Sequence, residues 1–202
     1  MPYSDFSLKR VKDELGVRVV EQQDMFAMID QVEISDLLQK NLAENVPLAI
    51  AINTEKARSE LIIANFLVEL RKLFDHQVSL FSGIEFNVDK EKNLNGFCDF
   101  IISASPEQLM LNAPVVTIVE AKNENIIGGL GQCIAEMVAA NIFNVKEHND
   151  EILKVYGVVT TGTTWKFLRL ESDVVYIDLS EFYIDRPGKI LGILSAMVRQ
   201  IA

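Results

Sequence analysis

The sequence predicts an α/β domain with a mixed β-sheet between helices, and three observations predict it. A long helix-period run without Gly or Pro, 53–74, precedes three strand-like runs. A second helical run, 127–147, separates those strands from a further set. Strands and helices interleaved in this order imply a mixed sheet covered by helices. The 202 residues suit one domain, and a 49 % apolar content supplies a sizeable core without a disorder signature.

The elements follow in chain order. Residues 7–15 and 34–44 read as short helices, so 1–52 is expected to be a helical lead-in to a main domain over 53–202. The run "NTEKARSELIIANFLVELRKLF" (53–74) has Asn53 or Thr54 as its N-cap. Then "QVSLFSGIEFNVD" (77–89) and "GFCDFIIS" (96–103) form strands joined by a polar "KEKNLN" turn. "VVTIVEAK" (115–122) is the third strand. After the 127–147 helix, "LKVYGVVTTG" (153–162) and "TWKFLRLE" (164–171) form a hairpin that "VVYIDL" (174–179) extends. "GKILGILSAMVRQIA" (188–202) is a closing amphipathic helix with Ile190, Leu191, Leu194, Met197, Val198 and Ile201 on one side. Ile193 widens that face, which suits a homodimer interface.

Composition narrows the function classes. Lys plus Arg number 19 and Asp plus Glu 29, a net charge of −10. Phosphate binding is driven by clustered Lys and Arg, so a nucleic-acid partner requires a local basic patch. Lys9, Arg10, Lys12, Arg18, Lys56, Arg58, Lys90 and Lys92 are the candidates to line such a groove. The opening "MPYSDFSLKR" has no signal-peptide pattern, and "VPLAIAI" (46–52) is too short to cross a bilayer. No membrane association and a cytoplasmic location are expected. Cys98 and Cys133 are then expected to be reduced thiols. His76 and His148 lie far apart in sequence, and no Cys/His spacing suits zinc.

Chemistry concentrates in "APVVTIVEAKNENIIGGLGQCIAEM" (113–137). Strand alternation puts Val116, Ile118, Glu120 and Lys122 on one face, with the Glu120 and Lys122 Cα atoms roughly 6.6 Å apart. In the preceding strand Asp99 shares a face with Phe97 and Ile101. Flanked by Phe97, Cys98, Phe100 and Ile101, it sits where a lone carboxylate is costly. If the two strands pair as an antiparallel hairpin, Asp99 lies beside Glu120. Like charges that close raise each other's pKa unless a cation intervenes. A divalent ion such as Mg²⁺ is the natural one, since it takes carboxylates, water and substrate phosphate.

The helices add polar groups. Steps of i+3, i+7, i+10 and i+14 from Glu60 reach Ile63, Leu67, Leu70 and Phe74, so Glu60 lies beside the stripe facing the sheet. Its structural alternative is a surface carboxylate paired with Lys56 or Arg71. In 127–147, Gly128, Gln132, Ala135, Ala139 and Phe143 share a face, with Glu136 at its edge. "NIIGGLGQ" lacks both GxxxxGK[ST] and GxGxxG, and reads as small residues packing on the sheet. Trp165 and Phe167 suit core packing better than base stacking.

Asp99 followed by Glu120-Ala121-Lys122, in the order helix, three strands, helix, strand, resembles the PD-(D/E)XK nuclease superfamily. This is the restriction-endonuclease-like fold shared with Holliday-junction resolvases and the nuclease part of type I restriction subunits. "VYGVVTTGTTWKFLRL" (155–170) is similar to a segment that follows the core in some of these proteins. The likeness spans about residues 53–179, and Cys98 stands where the family places Pro. The resemblance implies a phosphodiester hydrolase acting on nucleic acid, with DNA favoured. Asp99, Glu120 and the carbonyl of Ala121 would hold Mg²⁺ or Mn²⁺. Lys122 would hold the attacking water or stabilise charge at phosphorus. Glu60 would match the first-helix acidic residue and Gln132 a core-helix glutamine. A superfamily that also includes inactive members implies, as the other reading, a non-catalytic nuclease-fold binding or regulatory protein.

Overall fold

A computed structural model describes residues 2–147 and 154–199. Leu153, His148 and residues 200–202, the end of the expected closing helix with Ile201 among them, lie outside the described residues. The helices are α1 (Leu8–Leu15), α2 (Asp36–Ile52), α3 (Glu55–Arg58), α4 (Ala64–Leu73), α5 (Ile126–Lys146) and α6 (Pro187–Arg199). The strands are β1 (Arg18–Gln23), β2 (Ser79–Glu85), β3 (Phe97–Ser103), β4 (Val115–Ala121), β5 (Lys154–Thr160), β6 (Thr164–Glu171), β7 (Val174–Asp178) and β8 (Phe182–Tyr183).

Among the described residues, all eight strands join one mixed sheet in the order β1-β7-β6-β5-β4-β3-β2, with β8 paired to the start of β6. β4 runs parallel to β5, and β1 parallel to β7; the other pairs are antiparallel. The expected α/β class with a mixed sheet between helices is therefore observed. One face carries α2, the α3–α4 helix and α6, which bury Leu38, Phe66, Leu67 and Ile193 against Tyr156, Val158, Trp165 and Phe167. The other face carries α1 and α5, with Tyr3, Val11, Cys133 and Ile134 against Ile118, Val159 and Leu168. Burying apolar side chains on both faces makes β4 a fully buried central strand. α5 is long and apolar enough to span a bilayer by composition, yet most of it is buried against β4 and β5.

Several expectations change in detail. The lead-in is not all helix, because Arg18–Gln23 forms the edge strand β1 beside β7. Its sequence, Arg-Val-Val-Glu-Gln-Gln, carries little alternation, and its pairing partner lies about 150 residues away. The second helix runs to Ile52 with Pro47 inside it, past the expected end at 44. Thr54, not Asn53, caps the next helix: its side chain accepts from the Ala57 N–H at 3.1 Å. Asn53 instead ends α2 in a left-handed conformation (φ 51°).

The α3–α4 helix is continuous but contains one wide π turn, Ser59–Ile63. The extra residue rotates what precedes it relative to Ile63, Leu67 and Leu70. Ile193, expected to widen an outer face of α6, is fully buried within the chain. Trp165 and Phe167 are core residues; Trp165 meets Phe66 edge-on with centroids 5.1 Å apart.

Candidate active site at the carboxyl ends of β4 and β5

β3 and β4 pair as the sequence suggests, with Phe100 opposite Val119 and Ile101 opposite Ile118. Simple alternation fails at two points. A bulge opposite Ile102 and Ser103 shifts the start of β4, so Val116 packs on the same side as Val119 and Ala121. Alternation also breaks at Asp99, because Cys98 and Ile101 pack on the same side. The β2–β3 ladder skips the position where Gly83 would face Asp99, and Gly83 has left-handed backbone (φ 61°). Freed from the ladder, Asp99 does not share a face with Phe97 and Ile101 as alternation had it. Its Oδ2 accepts the Ala121 N–H at 2.7 Å, which holds the carboxylate at the carboxyl end of β4 next to Glu120.

Glu120 is 1 % exposed and lies on the α5 side of the sheet, level with Val159. Its Oε1 accepts from Lys122 Nζ in a close ion pair. Among the described residues, Glu120 Oε2 is buried with no hydrogen-bond partner. Burial, then the neighbouring Asp99 charge, push the Glu120 carboxyl up to about 8, against the opposing pull of Lys122. Burial opposes the charged form of Lys122, yet Glu120 more than compensates and its pKa is raised.

Lys122 reaches this position through a gap in α5. A Cβ on Gly129 would lie 3.0 Å from Lys122 Cε and 2.8 Å from Val159 Cγ1. A Cβ on Gly131 would lie 2.3 Å from the carbonyl oxygen of Phe6. The "GGLG" stretch is thus a close-packing surface, as its sequence suggested, and not a phosphate loop.

Gln132 joins the cluster. Its Oε1 lies 3.5 Å from Lys122 Nζ, and its Nε2 donates to Glu136 Oε1 at 3.1 Å. Glu136 is fully buried, and burial together with Glu120 raises its pKa well above the ordinary range. Sequence reasoning left Glu136 at the edge of the α5 face, although its i+4 spacing from Gln132 pointed to the contact. Cys98 and Cys133 are buried free thiols near these acids, held protonated mainly by burial.

Glu60 borders a shallow cleft with Asp99, Ala121 and Glu55. Its side chain is 63 % exposed and pairs with Lys56 at 3.5 Å. Glu55, not Glu60, adds to the raised pKa of Glu120. The π turn explains the exchange, since it moves Glu60 outward from the stripe. The clue to Glu55 was its place immediately after the capping Thr54.

Most of the candidate groove cations are neutralised locally. Lys9 pairs with Asp13, Arg10 with Glu14, Arg18 with Asp173 and Lys92 with Asp89. Among the described residues no group of three His, Cys, Asp or Glu side chains is disposed to hold a metal. The Asp99 charge beside Glu120, one of whose oxygens is buried and orphaned, nevertheless suits a divalent cation completed by water. No known protein family, curated protein or solved structure matches this chain.

Proposed function

We propose that this protein hydrolyses phosphodiester bonds of nucleic acid, with DNA favoured, at a Mg²⁺ or Mn²⁺ site on Asp99, Glu120 and the carbonyl of Ala121. The observation that carries the reading is the buried, partnerless Oε2 of Glu120 beside Asp99. Acids whose charged form is disfavoured by burial and a like-charged neighbour cluster at functional sites. Bound there, the metal supplies Lewis-acid stabilisation of the phosphate oxygens. Lys122 contributes a positive charge to the phosphoryl group or holds the attacking water. Gln132 keeps the Lys122 ammonium in place, and Glu136 fixes which end of the Gln132 amide faces it. A homodimer would suit cleavage of two strands.

A second reading, a nuclease-fold binding or regulatory protein without catalysis, is favoured by one observation. Lys122 lies directly on Glu120, so the chain's own lysine neutralises the carboxylate a metal would use. One experiment separates the two. Mn²⁺ calorimetry is run beside cleavage assays on single- and double-stranded DNA and RNA. Glu120→Ala is expected to lose both metal affinity and cleavage. Lys122→Met is expected to keep Mn²⁺ and lose cleavage by about a hundredfold or more. A parent protein that binds no Mn²⁺ and cuts nothing makes the regulatory reading the better one.

A further inference from the structure

Arg58 differs from the paired surface cations. It is 8 % exposed, and its hydrogen-bond partners among the described residues are neutral. Nε donates to Asn123 Oδ1 at 3.1 Å, Nη1 to the Thr161 carbonyl at 3.1 Å, and Nη2 to Asn53 Oδ1 at 3.2 Å. A longer Nη1 approach, 3.5 Å, reaches Thr163 Oγ1. Among the described residues no carboxylate forms an ion pair with it. Buried arginines are almost always charge-paired, because desolvating a guanidinium is costly.

Arg58 borders an open cleft of about 440 Å³, together with Asn123, Thr161 and the first turn of α5 at Ile126 and Ile127. First-turn N–H groups of a helix have no acceptor within it, and Asn125 satisfies that of Gly128. The cleft therefore offers a buried positive charge beside the first turn of α5. Two carboxylates, Glu124 and Glu181, also border it. They disfavour a doubly charged free anion more than a phosphodiester, which carries one charge.

Its position links it to the carboxylate site. Asn123 directly follows Lys122, and Thr161 follows Thr160, whose carbonyl accepts the Lys122 N–H at 2.8 Å. We infer that this cleft binds a backbone phosphodiester of the substrate strand flanking the one that is cut, with Arg58 as the compensating charge. The inference rests on the nuclease reading and names how the strand is held.

The test is binding of fluorescein-labelled single- and double-stranded DNA oligonucleotides to the full chain in chelator, followed by anisotropy. Arg58→Gln is expected to weaken binding about tenfold and to lower the salt dependence by about 0.7 in the log–log slope for single strands. Arg58→Lys is expected to restore part of the affinity. Ile127→Glu is expected to weaken binding too; Ile127 is 62 % exposed, so this variant leaves the Arg58 network intact. Leu109→Glu is expected to bind like the parent. Leu109 is fully exposed in the β3–β4 loop, at the end of those strands away from Asp99 and Ala121. Inorganic sulfate should compete poorly.

Parent-like affinity and salt slope in Ile127→Glu and in folded Arg58→Gln overturn the inference, as does a parent that binds no oligonucleotide. If Arg58→Gln does not fold, Ile127→Glu alone decides. Failure of the nuclease reading looks different: DNA is bound in chelator, depends on Arg58, and stays uncut when Mn²⁺ is added.

Discussion

At the residue scale the decisive group is Glu120, because its environment sets both charge and stability. An acid with a raised folded pKa holds its proton more tightly in the fold than in the unfolded chain. That contribution is complete below the ordinary value of 4.5 and is lost as pH rises through about 8. Metal-free protein is therefore expected to lose stability across about pH 4.5 to 8, on the order of a few kcal/mol. Glu136, raised by burial and by Glu120, acts in the same direction. Glu120→Gln stays neutral and keeps an acceptor for Lys122, so its stability should vary less with pH and exceed the parent's at the alkaline end. Urea unfolding in chelator across this window checks both, and an undiminished slope in the variant would assign the dependence to other groups. The pair Glu120–Lys122 was legible as a sequence spacing. The partnerless Oε2 and the acid at Glu136 were not, because burial is a property of what packs above a residue.

At the element scale, two irregularities place the site. In the α3–α4 helix the charge of Glu55 adds to the raised pKa of Glu120, while Glu60, within the π turn, pairs with Lys56. Glu55→Gln is thus expected to weaken Mn²⁺ binding a few-fold by removing a nearby negative charge, while Glu60→Gln leaves it near the parent value. Calorimetry on both variants ranks them, and the reverse order would return the helix carboxylate to Glu60. The glycines of α5 give a second contrast. In Gly131→Ala the new Cβ meets backbone, the Phe6 carbonyl, which cannot step aside. The expected cost is about 1–3 kcal/mol. In Gly129→Ala the new Cβ meets Val159 and the flexible stem of Lys122. Stability should fall less there, and cleavage should fall more, because the ammonium moves. Denaturation and rate measurements on the two variants separate packing from placement.

At the scale of the whole molecule, the first fifty residues belong to the same body as the rest. Tyr3, Phe6, Val11 and Val17 are buried in the α5-side core, while Phe26, Leu38, Leu42 and Ala49 are buried in the other. The Tyr3 hydroxyl donates to the Phe86 carbonyl at 2.7 Å, and β1 covers the edge of β7. Removing residues 1–52 would expose apolar surface on both faces and open a sheet edge. The 53–202 fragment is expected not to fold cooperatively on its own. Circular dichroism melting of the fragment checks this; a sharp, parent-like transition would show that the segment is dispensable.

The sequence by itself determined the class of fold, the order of β2, β3, β4, α5, β5 and β6, and the nearness of Glu120 and Lys122. Those follow from local periodicity and from alternation along short strands, which neighbouring residues carry. Tertiary structure decided the rest. β1 exists because β7 is there to pair with it. The π turn, the bulge opposite Ile102 and Ser103, and the break at Asp99 each shift a side chain from the face that ideal geometry assigns. Arg58 became buried without a counter-charge, and Glu136 became a buried acid, only when β4, β5 and α5 came together. Desolvation and charge proximity arise from the full set of neighbours in space, and no window of sequence contains that set.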